Sequence, residues 1–336
     1  VVGPLVIRCD LNESHLPPPP SVAAAIAAAS DTVHRYPEFG ADTTRRAIAA
    51  HIGLDPAQVS VGPGATALAH AILADAVQRA HIRGISSPVI LTPAPTFDGF
   101  ALLAGMIGGH LRTTPLDAGG RPDLEALTAA IGPDTAAVIV CSPHNPTGLT
   151  VDADALSDLL ARIPVSTRVV LDQAYVEYCS SPPDVLDLIS RCAHLVVLRT
   201  FSKAYGLAGL RAGYAFGGHE AMAGILRREL PFAVSTTAAA AVTAVLGADG
   251  EIRDRVGAVR AERTRLAAQL EQLGYPTLAG EANFVYVPGP DGLTLDHLLT
   301  RSGIQGKVCG THGFRLTVGD PMVGDAIEAA LRRSVA

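Results

Sequence analysis

The chain has 336 residues, long enough to bury a sizeable core in two domains, or in one large α/β domain with an appendage. Its 32 acidic residues outnumber the 26 basic ones, leaving a net charge of −6 and no basic stripe, so nucleic acid is excluded as a partner. Five scattered cysteines, odd in number and without CxxC spacing, read as free thiols of a reducing cytoplasm rather than a disulfide framework or a zinc site.

Taken in chain order, the first residues, VVGPLVIRCD, lack the basic segment and apolar run of a signal peptide. The arm DLNESHLPPPPSV is extended, because consecutive prolines exclude helix. SVAAAIAAA predicts a helix, DTVHRYPEFG a loop, and TTRRAIAAHIGL a second helix. QVSVGPGATALAHAILADAV reads as strand, glycine turn and helix. PVILTPAP and MIGGHLRTTPL predict strands, and DLEALTAAI a helix. AAVIVCSPHNPTG, TRVVLDQAY and HLVVLRTFSK are apolar runs that each end in a polar cluster, the first two separated by the helix VDADALSDLLARI. These are βαβ units of an open, mostly parallel sheet, whose ligands sit outside the carboxyl ends of the strands. Here those ends carry Gly64, Pro95, Asn145, Asp172 and Lys203.

From about residue 232 the rhythm changes. A long amphipathic helix around IRDRVGAVRAERTRLAAQLEQLG leads to the strand ANFVYVP, a helix at LDHLLTR, the strand GFRLTVG and a last helix. The expected organisation is an arm that also contributes to a small domain (1–31), a large domain (32–231) and a small α+β domain (232–336). Although 48% of the residues are hydrophobic, no apolar stretch approaches the ~20 residues of a membrane helix, so the surplus is assigned to a core and a subunit interface.

Read singly, the candidate site residues have ordinary alternatives. Asp172 could be a helix N-cap, Asn145 a turn residue before Pro146, Tyr175 and Phe97 packed aromatics, Arg315 a strand-end ion-pair partner, and VGPGATAL a tight turn with no ligand. Together, LNES, HRYPEFG, VGPGATAL, PAPTF, SPHNPTG, VLDQAYVEY, RTFSKAYGLAGLRAGY, LPFAVS, EANFVYV and FRLTVGDP resemble, in this order and spacing and over nearly the whole chain, the fold-type I aminotransferases that use pyridoxal 5'-phosphate (PLP), closest to the histidinol-phosphate and aromatic aminotransferase group.

The resemblance implies the fold-type I α/β architecture: a mostly parallel central sheet with helices on both faces, plus a smaller α+β domain. It implies that Lys203 forms an aldimine with PLP and then takes the Cα proton, with a quinonoid intermediate between. Asp172 pairs with the pyridine nitrogen. Asn145 and Tyr175 bond the ring's phenolic oxygen, and Phe97 stacks on the ring. Ser202, Arg211, Thr200 and the amides of Gly64, Ala65 and Thr66 hold the phosphate. Tyr36 reaches the phosphate of a neighbouring subunit, which implies a homodimer. Arg315 grips the substrate α-carboxylate.

The chain departs from the histidinol-phosphate enzymes in three places. The arm reads NESHLPPPP without a tyrosine, Lys307 in GIQGK stands where an arginine is common, and Gln173 follows Asp172 where an acidic residue is common. Glu13 and His15 are expected as new pocket groups beside Lys307, with Glu13 favouring a basic side chain if it turns inward. The expected activity is amino transfer between an α-amino acid and a 2-oxo acid in the cytoplasm. The alternatives are a PLP-dependent lyase, cyclase, decarboxylase or oxidase, a histidinol-phosphate aminotransferase, and a binding protein that kept the fold without catalysis.

Overall fold

The computed structural model describes residues 6–335. Residues 1–5 and 336, at the two ends of the expected arm and C-terminal unit, lie outside the described residues. The strands, in chain order, are β1 (Ile7–Arg8), β2 (Val59–Gly62), β3 (Val89–Pro93), β4 (His110–Thr114), β5 (Thr135–Cys141), β6 (Arg168–Asp172), β7 (Leu195–Thr200), β8 (Gly213–Gly217), β9 (Phe284–Pro288), β10 (Ile304–Gln305), β11 (Lys307–Val308) and β12 (Gly313–Thr317).

Seven of them form one sheet in the order β2-β8-β7-β6-β5-β3-β4. Every neighbouring pair from β7 to β4 is parallel, and β8 runs antiparallel to both β7 and β2. The period of two along the central strands sorts their side chains onto two faces. Ile90, Ile139, Val170, Val196 and Leu198 pack with Leu68, Ile72 and Leu73 of the helix Ala65–Ile82. Leu91, Val138, Val140, Val169, Leu171 and Val197 face the other way, into a core shared with Leu156, Leu159 and Leu160 of the helix Ala153–Arg162. Burial on both faces explains why these strands read as unbroken apolar runs.

The antiparallel β8 was not separated from its surroundings in the sequence. GYAFG is short, bounded by glycines, and follows a loop that carries its own polar pattern. The helices Gly99–Met106, Val185–Arg191, His219–Leu226 and Thr236–Leu246 were also not foreseen; the first three span only two turns each.

Beyond the large sheet, β11, β12 and β9 form an antiparallel sheet, packed with the helices Asp249–Gln272, Gly289–Arg301 and Pro321–Val335. The arm joins this part of the molecule through β1, which pairs in parallel with β10. Among the described residues no helix is long and apolar enough to cross a membrane.

Candidate active site

Strands β5, β6 and β7 end side by side, so the residues leaving them meet at one rim, with Cys141 paired to Asp172 and Asp172 to Leu198 in the ladder. A cavity of about 870 Å³ opens there, roofed by the arm on one side and by β11 and β12 on another. Asp172, Asn145, Tyr175, Thr200, Ser202, Lys203 and Arg211 line it, together with Ala65, Thr66, Phe97, Glu13, Lys307 and Arg315.

One end of the cavity is built for an anion. The helix Ala153–Arg162 is capped by Asp152, whose carboxylate accepts from the N–H groups of Asp154 (3.0 Å) and Ala155 (3.1 Å). The helix Ala65–Ile82 starts instead at Gly64, which has no side chain to spend on the first-turn amides. Two of the residues that carry those amides, Ala65 and Thr66, line the cavity at the positive end of this 18-residue helix. Gly64 has φ of 88°, and a Cβ there would lie 2.5 Å from Arg211 Nη2. Gly213, at the start of β8, passes so close that a Cβ would lie 2.6 Å from the Ala65 nitrogen. Both glycines therefore let backbone and guanidinium close around one small volume. Arg211, itself at φ 52°, donates from Nη1 to the Ala208 carbonyl at 2.9 Å and to Ser202 Oγ at 3.4 Å. The Ser202 N–H donates to Thr200 Oγ1 at 3.1 Å.

In the middle sit a carboxylate and an amine, both displaced from their ordinary ionisation. Burial pushes the Asp172 carboxyl up to about 6, partly offset by the Ala174 N–H, which donates to it at 2.9 Å, and by the charge of Lys203. Burial pulls the Lys203 ammonium down to about 8; the positive charges of Arg315 and Arg211 add to this, and Glu13 and Asp172 oppose it. Lys203 Nζ donates to the carbonyl of Leu11, in the arm, at 2.9 Å. Tyr175 is buried, and its hydroxyl accepts from Asn12 Nδ2 at 2.8 Å. Burial pushes the Tyr175 phenol up to about 12.

The far side is formed by Arg315 of β12, which is buried. It donates from Nη1 to Asn145 Oδ1 and from Nη2 to the Asp10 carbonyl at 2.6 Å. Its guanidinium lies 5.3 Å from the Phe284 ring centre, and Nε has no hydrogen-bond partner among the described residues. Phe97 stands edge-on to Phe100 with ring centres 5.4 Å apart, both at the cavity wall. Lys307 is tied to Asp98 by an ion pair of 2.7 Å.

Of the side chains expected at this chain's own site, the structure gathers all but His15 at the cavity; Tyr36 was expected in a partner's site. His15 is exposed and lies outside the cavity lining, with Asp320, Arg255 and Glu262 as its charged neighbours. Tyr36 is 84% exposed and packs on Phe232 at 5.0 Å between ring centres, away from the cavity of its own chain. Gln173 is buried and holds Arg199 through two bonds to its carbonyl, at 2.8 and 3.0 Å, outside the cavity. Among the lining residues that were not singled out from the sequence, Asn12 and Asp98 hold side chains of the site. The signal for Asn12 was an amide residue inside an otherwise extended arm, a type that tolerates the left-handed conformation it adopts at φ 53°. Asp98 gave no signal, since its importance rests on Lys307, 209 residues away.

The model of the family described as aminotransferase class I and II matches residues 8–328. The aromatic amino acid aminotransferase of Rhodococcus opacus (strain B4) is 37% identical over 327 residues, covering 97% of this chain and 89% of that protein. That of Cutibacterium acnes (strain DSM 16379 / KPA171202) is 34% identical over 336 residues, covering 99% and 94%. Among solved structures, histidinol-phosphate aminotransferase from Sinorhizobium meliloti, in complex with pyridoxal-5'-phosphate, superposes with a TM-score of 0.86 at 27% identity, covering 99% of this chain and 93% of that one. An anion cradle, a half-buried carboxylate and a neutralisable lysine at the ends of adjacent parallel strands are groups that suit a phosphorylated pyridine aldehyde, and with these matches they lead to one conclusion: the chain belongs to the class I and II aminotransferases and is a PLP-dependent aminotransferase of fold type I.

Proposed function

We propose that the chain moves the α-amino group of an aromatic amino acid to a 2-oxo acid, with Lys203 carrying the cofactor. The observation that carries this choice of substrate is the cavity wall around the Asp98–Lys307 pair. It is apolar at Phe97, Phe100, Ala101 and Val308, and its one nearby lysine, Lys307, is already paired with Asp98. An anionic or phosphorylated side chain would meet a neutralised cation there, and lysine lacks the planar fork of an arginine. The names of the relatives from Rhodococcus opacus and Cutibacterium acnes support the same reading.

The residue roles follow from position. The amides at Ala65 and Thr66 beyond Gly64, with Arg211, Ser202 and Thr200, hold the phosphate. Asp172, fixed by the Ala174 N–H, would keep a proton on the cofactor's ring nitrogen; Asn145 and Tyr175 would meet the ring's oxygen, and Phe97 would cover the ring. When bound, PLP supplies the sink for the electron pair left when a Cα–H bond breaks. Lys203, with its amine neutral in a substantial fraction of molecules near pH 8, takes that proton and returns it elsewhere. Arg315 holds the substrate carboxylate and so fixes the direction of the Cα–H bond. The test compares kcat/KM for phenylalanine, ornithine and histidinol phosphate with 2-oxoglutarate as acceptor. Phenylalanine is expected to lead by tenfold or more, about 1.4 kcal/mol of transition-state preference; a lead for histidinol phosphate overturns the substrate assignment.

The assembly belongs to the same proposal. Tyr36, Phe39 and Phe232 form an exposed aromatic cluster flanked by exposed Val33 and Leu230. Such a patch supports a homodimer in which Tyr36 reaches the partner's phosphate site. Phe232→Asp is expected to give monomers by sedimentation, and an unchanged mass would refute this. The division into an arm (1–31), a large domain (32–231) and a small domain (232–336) is retained as an assignment, supported by the change from the seven-stranded sheet to the β9, β11 and β12 sheet. A cytoplasmic location fits the free state of all five cysteines.

A further inference from the structure

We propose that Asn12 is a positioning residue that sets the direction of the Tyr175 hydroxyl, so that its proton points into the cavity toward the cofactor's ring oxygen. The proposal rests on the placing of Tyr175 at that oxygen.

From Thr317 to Tyr175, the direction of each hydrogen bond is fixed by the one before it. The Asn12 backbone N–H can only donate, and it donates to Thr317 Oγ1 at 2.9 Å. The same hydroxyl lies 3.0 Å from Asn12 Oδ1, to which it donates its own proton. Asn12 is buried at 1% exposure and Thr317 at 6%. Reversing the Asn12 amide would take that acceptor away from the Thr317 proton, and a buried donor left without an acceptor costs about 1–3 kcal/mol. With Oδ1 turned to Thr317, Nδ2 must face Tyr175, and it donates to the phenolic oxygen at 2.8 Å. That oxygen is then an acceptor on the arm side, and its proton is left for the cavity side. Asn283 Nδ2 holds the Asn12 carbonyl at 3.1 Å, so the residue is anchored by side chain and backbone together.

The left-handed φ of 53° presents both ends of the amide at once. Leu11, the residue before it, gives its carbonyl to Lys203 Nζ, so adjacent residues of the arm serve both the tyrosine and the lysine. The hydrogen bond from Asn12 also works against the burial that makes Tyr175 a poor acid, which strengthens it as a donor.

The test uses holoenzyme and follows the pH at which the visible absorbance of the bound cofactor changes. A donor to the ring oxygen favours the form that has lost its proton, because negative charge is then concentrated on that oxygen; removing the donor raises the midpoint. Tyr175→Phe is expected to raise it by roughly one pH unit. Asn12→Gly deletes the amide while tolerating the positive φ, and is expected to raise the midpoint less. Asn12→Asp places an acceptor where the donor was, turns the Tyr175 proton toward the arm, and is expected to raise it more than Asn12→Gly. On the Tyr175→Phe background, Asn12→Gly is expected to leave the midpoint unmoved. If Tyr175→Phe shifts the midpoint but Asn12→Gly acts equally on both backgrounds, or on neither, the positioning role is overturned while the reading of Tyr175 survives. If Tyr175→Phe itself causes no shift, both are overturned.

Discussion

Two aspartates, one buried inside a helix and one half-buried at the cavity, show where the stability and the chemistry of this fold reside. Asp75, inside the helix Ala65–Ile82, is surrounded by guanidinium groups: Arg79 at 2.7 Å, Arg168 at 3.5 Å and Arg228 at 3.8 Å. Gly224 on a neighbouring helix leaves it room, since a Cβ there would lie 2.2 Å from the carboxylate. Asp172 has one backbone N–H at 2.9 Å and a lysine whose own charge is destabilised by burial. The first carboxylate is compensated by the protein. The second keeps much of its desolvation penalty, and the raised ionisation of about 6 is the sign of it. A cation delivered by a ligand can therefore gain from Asp172 what it could not gain from Asp75.

The sharpest way to break this contrast is to neutralise each carboxylate. Asp172→Asn is expected to lower kcat by about 10²–10⁴-fold while leaving the melting temperature of the cofactor-free chain unchanged or raised. Asp75→Asn is expected to leave kcat of the folded enzyme within twofold but to destabilise it by about 3–5 kcal/mol, because Arg168 is left buried and poorly paired. Steady-state kinetics beside urea melts would decide. A large stability loss for Asp172→Asn would erase the distinction.

The anion cradle gives a second test. Gly64→Ala forces a side chain into φ 88° and onto Arg211, and is expected to weaken PLP binding by about 10–100-fold, from roughly 1–3 kcal/mol of strain and displacement. Gly209 also lines the cavity, but a Cβ there meets nothing within 4 Å. Gly209→Ala is expected to bind PLP as the native chain does, and equal losses in a fluorescence titration would show that the cradle is not specific.

How much of this was legible beforehand follows from the range of each interaction. The parallel strands and their polar ends were readable because burial on both faces leaves unbroken apolar runs, and because Asp172 and Lys203 lie within three residues of a strand's end. Glycine needs at residue 64 were readable as a turn, but its tight approach to Arg211 was not, since 147 residues separate them. The antiparallel β8 has too few residues to show a period. The reach of Lys307 to Asp98, the removal of His15 from the cavity and the Asn12–Thr317 pairing depend on how the arm and the last strands fold back over the large sheet. Nothing local encodes that packing.

Lys203 extends the comparison to pH. Its ionisation falls at about 8 in the folded chain, against about 10.4 for an unperturbed lysine. Between those values the unfolded chain holds the proton and the folded chain does not, so stability of the cofactor-free protein rises with pH across that window. Below pH 8 both states are protonated and the full penalty of burying the ammonium applies. Lys203→Met is expected to remove this rise and to stabilise the cofactor-free chain at pH 7 by about 1–3 kcal/mol. Urea melts at pH 7 and pH 9.5 would check it, and parallel pH dependence in both proteins would refute it.

The smallest expected effect isolates one charge. Glu13 lines the cavity and stabilises the Lys203 ammonium, opposing burial and Arg315. Covalent capture of PLP needs the neutral amine, so its rate should climb about tenfold per pH unit below pH 8 and level off above. Glu13→Gln takes away a charge that favours the protonated form. The amine is then neutral in a larger fraction at pH 7, and capture is expected to quicken by about twofold, the scale of a solvent-exposed charge pair. Because Glu13 is exposed, salt should screen its influence: at 1 M ionic strength, where the Debye length is about 3 Å, the two proteins are expected to react at nearly equal rates. Stopped-flow absorbance at low and high salt measures both. A slower Glu13→Gln protein at low salt would mean that Glu13 acts by shaping the arm over Lys203, and that its charge is not what tunes the amine.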